Sequence, residues 1–159
     1  SILMLRGDID FRMGGPPPQV TSQDPSPEKL DANQVVYDSS KRRSVYLPVI
    51  RSNTYDFFVN FDFPDASATS GRRTETIVPT QSLLLMNGEF VRNSSIRILA
   101  KFKSDDNLSS PKIYETMFGK RPNTENVKLL EQFAVDKDDE SLLLLIHALL
   151  MSNEFLYIE

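Results

Sequence analysis

The chain has no cysteine and only one histidine in 159 residues, and these two shortages remove more chemistry than any motif adds. Without cysteine there is no disulfide, no thiolate nucleophile, no zinc–thiolate site and no attachment point for a c-type haem. The lack carries no message about compartment, because a chain with an adequate core needs no covalent staple. A single histidine excludes paired metal-binding histidines. That residue, His147, lies in Leu145-Ile146-His147-Ala148-Leu149, inside the most apolar stretch of the chain. Met151 falls four residues on, on the same helical face, and two ligands on one face cannot take opposite sides of one haem. The favoured role for His147 is a hydrogen-bonded histidine at the core or its edge. A nucleophile elbow, a P-loop and a base-stacking platform are also missing. The residues call for no metal and no cofactor.

Long apolar runs are missing too. The longest, Leu142 to Met151, is far below the roughly 20 residues that span a bilayer, and Asp138-Asp139-Glu140 leads into it. It reads as a buried core helix, so no membrane span is expected. The net charge of −4 and pI near 5.1 argue against a bulk electrostatic grip on nucleic acid. Apolar residues at 40% and charged residues at 25% are ordinary for a soluble globular chain. Its length allows one domain that buries roughly 70% of its unfolded surface. The chain opens on Ser1 inside an apolar run, Ile2-Leu3-Met4-Leu5, like a helix cut short. The expectation is a single domain over 1–159, itself a fragment of a larger polypeptide.

Proline and glycine are concentrated near the start. Gly14-Gly15 followed by Pro16-Pro17-Pro18, then Pro25 and Pro27, make 1–40 a loop-rich wrap. Met13, Val20, Leu30, Val35 and Tyr37 give that wrap apolar anchors. Val35-Val36-Tyr37 and Ser44 to Val49 are short β-branched and aromatic runs on either side of Asp38 to Arg43, a pattern that suits one small β-hairpin. Residues 41–80 hold the densest set of specialised side chains, and 81–159 read as a helical core. Asn53 or Thr54 caps a short helix carrying Phe57, Phe58 and Phe61, which Pro64 ends. Thr80 caps a long helix running through Leu83 to Phe102. A helix over 111–118 has Pro111 in its first turn and Gly119 as its stop. Asn123 or Thr124 caps the next, with Val127, Leu129, Leu130 and Phe133. The last starts near Asp139 and is apolar nearly all round, which means burial among the others. The fold class is mainly α.

Candidate chemistry gathers in 41–80. Gly71-Arg72-Arg73 follows Ser67, Thr69 and Ser70, so guanidinium forks and hydroxyls can converge on a phosphate, sulfate or carboxylate. Arg42 and Arg43 form a second arginine pair and join the candidate anion or ligand-binding set. Against this stands a structural role, in which Arg72 or Arg73 pairs with Asp62 or Asp65 and pins the loop; that role outweighs the ligand one. Asp62 and Asp65 flank Pro64 and invite an acid/base reading, which needs environments that split their pKa values. Asp8 and Asp10 have a weak metal-ligand spacing with no further carboxylates at calcium-loop intervals. For both carboxylate pairs, turn-making and arginine pairing are the stronger readings. Gln81 and Asn87 flank the apolar start of the long helix and suit amides that bond to irregular loops.

Taken together, Arg42 to Leu47, Phe61-Asp62-Phe63-Pro64-Asp65, Arg72-Arg73, Val78 to Leu83 and Met86-Asn87 resemble the signature of a planctomycete-type C-terminal domain of unknown function. Gly7 to Gly15, Phe118-Gly119-Lys120-Arg121-Pro122 and Ser152 to Tyr157 fit the same pattern, whereas Asp24 to Asn33 does not. The resemblance implies a large exported parent protein of the periplasm or cell envelope, often with cytochrome-c-like and sometimes carbohydrate-binding companion domains. It transfers no catalytic residue. The expected function is therefore a non-catalytic structural or interaction module whose partners are the neighbouring domains of its own polypeptide. Two alternatives stay open: an anion or sulfated-glycan-binding domain built on Arg72 and Arg73, with polysaccharide as partner, and a polysaccharide hydrolase using Asp62 and Asp65.

Overall fold

The computed structural model describes residues 2–19, 27–50, 54–61, 63, 79–104, 109–133 and 138–156, with 27–32 described by backbone alone. Among these residues there are nine α-helices, one 3-10 turn and no strand, so the mainly α expectation holds. The chain divides into two compact units, Ser1–Asp8 with Leu85–Glu159, and Ile9–Leu84.

The first unit contains α1 (Ile2–Arg6), the end of α4 (Pro79–Asn87), α5 (Glu89–Lys103), α6 (Ser110–Phe118), α7 (Thr124–Phe133), α8 (Asp139–Met151) and α9 (Asn153–Leu156). Helix α8 is its hub, packing on α5, α6, α7 and α9, which is why its sequence is apolar nearly all round. Leu142, Leu145, Ile146 and Leu150 are all buried, each worth about 1.5–3 kcal/mol of burial. Helix α5 presents Val91, Ser94, Ser95, Ile98 and Leu99 inward, spaced three and four apart. The two buried serines donate back to the carbonyls of Phe90 and Val91 at 2.6 and 3.0 Å, so their hydroxyls need no outside partner.

The boundaries follow from caps. Asp138 accepts from the Ser141 N–H and caps α8, which begins at Asp139 as expected. Pro111 lies in the first turn of α6, and Gly119, at φ +71, ends that helix with its N–H on the Glu115 carbonyl. Asn123 Oδ1 accepts from the Asn126 N–H and caps α7. The long helix expected from Thr80 to Phe102 is instead two. Gly88 adopts an extended conformation between α4 and α5, and Thr80 lies inside the first turn of α4 behind Pro79.

The second unit contains α2 (Pro27–Ser39), a 3-10 turn (Ser44–Tyr46), α3 (Asp56–Asn60) and the start of α4. The small hairpin does not form. Val35-Val36-Tyr37 belongs to α2, and the only sheet-like pairing among the described residues is one parallel bridge between Asp10 and Arg42. Burial shows why. A strand would put Val35 and Tyr37 on one face, yet Val35 is 63% exposed and Tyr37 only 2%. Asn33, one helical turn back, is buried as well. Helical packing overrode the β preference of two valines and a tyrosine.

Candidate functional site

Asp62, Asp65, Arg72 and Arg73 lie outside the described residues. Of the other candidates, Gln81 is buried in the first turn of α4 and Asn87 is exposed at its end. Arg43 is exposed at the entry to the 3-10 turn, where its carbonyl accepts from the Tyr46 N–H. His147 donates from Nε2 to the Leu85 carbonyl at 3.0 Å and so ties α8 to the end of α4.

Arg42 performs a backbone task. Its guanidinium donates to the Pro16 carbonyl at 2.8 Å and to the Gly14 carbonyl, with its carbon 4.7 Å from the centre of the Tyr46 ring. The Asp10 N–H donates to the Lys41 carbonyl alongside, at 2.8 Å. A planar fork that bridges two carbonyls while stacking on an aromatic face is a role that lysine cannot copy. The Gly/Pro-rich segment is thereby fastened to the first arginine pair. Asp10 itself is held by Arg12, whose hydrogen bonds draw its carboxyl down to about 2.

Asp8, two residues earlier, anchors the other unit. Its Oδ2 accepts from Arg6 at 2.9 Å and from Arg97 of α5 at 2.8 Å. The Arg6 side chain is 4% exposed, reaches Ser94 Oγ at 3.4 Å and lies 5.6 Å from the centre of the Phe90 ring. Lys101 adds a bond to the Leu5 carbonyl at 3.1 Å and packs against Gly7. The two aspartates with metal-like spacing thus both serve arginines.

In two further clusters the sequence marked some members but not the hydrogen-bonded tyrosine–carboxylate pair at the centre. Tyr55 is buried, stacks on Tyr37 with ring centres 4.7 Å apart, and donates to Asp38 at 2.6 Å. Burial, reinforced by Asp38, pushes its phenol far above the ordinary value. Phe57, Phe58, Phe61 and Phe63 extend the ring cluster. In the other unit, Tyr114 donates to both oxygens of Glu154 at 2.8 Å, accepts from Asn126 at 3.2 Å, and shares Glu154 with Lys120. Lys120 first, then Tyr114, holds the Glu154 carboxyl below its ordinary range. Among the described residues, no three metal-ligating side chains converge and no helix is long and apolar enough to cross a membrane.

Comparison with known proteins places the chain by family. It belongs to PSD1, a family described as "Protein of unknown function (DUF1553)", whose sequence profile matches residues 1–134. The match takes in the arginine-rich segment and Phe118 to Pro122, while α8 and the closing Ser152 to Tyr157 lie beyond it. No curated protein and no solved structure matches the chain.

Proposed function

We infer that this chain is a non-catalytic structural and interaction module of a larger exported protein, docking onto neighbouring domains of its own polypeptide. One observation supports the reading above others: several described carboxylates and the groups beside them are paired with one another. Asp8 holds Arg6 and Arg97, Asp38 holds Tyr55, Glu154 holds Tyr114 and Lys120, Asp10 holds Arg12, and Lys103 pairs with Asp139. Arg42 and His147 are directed to main-chain carbonyls. A catalytic acid or base needs a proton-transfer partner in a substrate, whereas these groups spend their hydrogen bonds on positioning. Paired groups of this kind fix where segments sit more than they add stability.

The test is a purified-chain screen against glycoside, ester and phosphoester substrates, alongside co-elution with the remainder of the polypeptide supplied in trans. No turnover above the blank and a stable complex are expected. Reproducible turnover that disappears in Asp62→Asn or Asp65→Asn would overturn the reading and install the hydrolase alternative.

A further inference from the structure

The turn between α6 and α7 carries a cleft of about 310 Å³ lined by Lys112, Glu115, Thr116, Gly119, Lys120 and Arg121. Lys112, Glu115 and Thr116 are spaced three and four along α6 and share one helical face, and Gly119 follows at its end. Lys120 and Arg121 border it from the turn. Three cations therefore meet one carboxylate on a chain whose net charge is −4. The carbonyl end of α6 favours these cations but works against a bound anion, so any clamp must come from the side chains. Lys120 is paired with Glu154, yet Lys112 and Arg121 still outnumber Glu115.

The donors available to a visitor come from two sides. Thr116 Oγ1 donates to the Lys112 carbonyl and the Gly119 N–H to the Glu115 carbonyl, so neither is directed into the cleft. Arg121 is 91% exposed, and its Nε lies 3.6 Å from Glu115 Oε1, longer than a hydrogen bond. An exposed lysine on the helix face and an exposed guanidinium on the turn suit an anion whose oxygens point in both directions. A planar carboxylate would be used up by the arginine fork alone, whereas a tetrahedral group has oxygens left for the lysine. The hollow is shallow and open to solvent, with room for a single head group.

We propose that this cleft binds a tetrahedral oxyanion carried as a sulfate or phosphate ester, with Arg121 and Lys112 as its cationic clamp. The test is calorimetric titration of the full chain at fixed ionic strength with inorganic sulfate, inorganic phosphate, glucose 6-sulfate and glucose 6-phosphate, with glucuronate as the planar control. Saturable binding with a Kd on the order of 1 mM is expected. Arg121→Ala should weaken it roughly tenfold or more, the scale of a lost charged hydrogen bond. Glu115→Gln should tighten it, and Lys128→Ala on exposed α7 should leave it unchanged. Tighter binding of one glucose ester than the other identifies the source as a sulfated or a phosphorylated ligand. The proposal fails if Arg121→Ala binds like the parent, if Lys128→Ala weakens binding as much, if glucuronate binds equally, or if no saturable binding occurs.

Discussion

The firmest energetic prediction concerns Asp8. Replacing it with alanine removes the carboxylate shared by Arg6 and Arg97 and strands a guanidinium on a side chain only 4% exposed. Removing one partner of a buried pair costs about 3–5 kcal/mol. The Asp8 side chain keeps 17% of its surface, so we expect the lower end, about 3 kcal/mol. Arg97 is 56% exposed, and Arg97→Ala should cost only about 0–1 kcal/mol. Urea denaturation followed by circular dichroism gives the energies, and hydrogen exchange read over α1 and α5 shows where protection is lost. Arg6→Met in the Asp8→Ala background should restore much of the stability, because an apolar side chain then replaces an uncompensated buried charge. Equal costs for Asp8→Ala and Arg97→Ala, or no recovery in the double variant, would refute the argument.

Other expectations follow from the same structure. Because the Tyr55 phenol is raised by burial and by Asp38, its contribution is complete below pH about 10 and falls above that, as the unfolded chain ionises first. Stability measured across the alkaline range should therefore decline less steeply in Tyr55→Phe. Glu154 has the opposite sign: its carboxyl is lowered by Lys120 and Tyr114 from an ordinary 4.5. Its stabilisation is present above that value and lost as pH falls through the folded-state one, so Glu154→Gln should flatten the acid limb of the stability profile. Gly119→Ala should cost about 1–2 kcal/mol, because φ is +71 and open space around the added methyl leaves backbone strain as the sole penalty. Gly119→Asn should cost less, which thermal denaturation of the two variants would show.

Much of the helical framework was legible because its signals are local. Pro111 and Gly119 bracket α6, Asn123 caps α7, and the acidic lead-in marks α8. The failures arose where long-range packing decided the outcome. Val35-Val36-Tyr37 has the composition of a strand, yet Tyr37 is buried against Tyr55 and the segment is helical. Gly88 alone divides the expected long helix, and a lone glycine within an apolar pattern is a weak boundary signal. Long-range packing also set the described contacts of Arg42 and Asp8. Arg42 stood out by residue type, but no spacing rule points an arginine at main-chain oxygens of a segment 26 and 28 positions away. Asp8 and Arg97 are 89 positions apart, and only the packing of α1 on α5 unites them.

The grip of Arg42 on Gly14 and Pro16 has a consequence for how this segment tolerates change. A carbonyl oxygen looks the same whatever side chain follows it, so the tie holds the path of the chain and is indifferent to its lettering. Phe11 and Met13, both exposed beside it, can be exchanged without loosening the hold. Variation in that stretch would therefore be poor evidence of disorder, because the main chain keeps its course while the exposed side chains change.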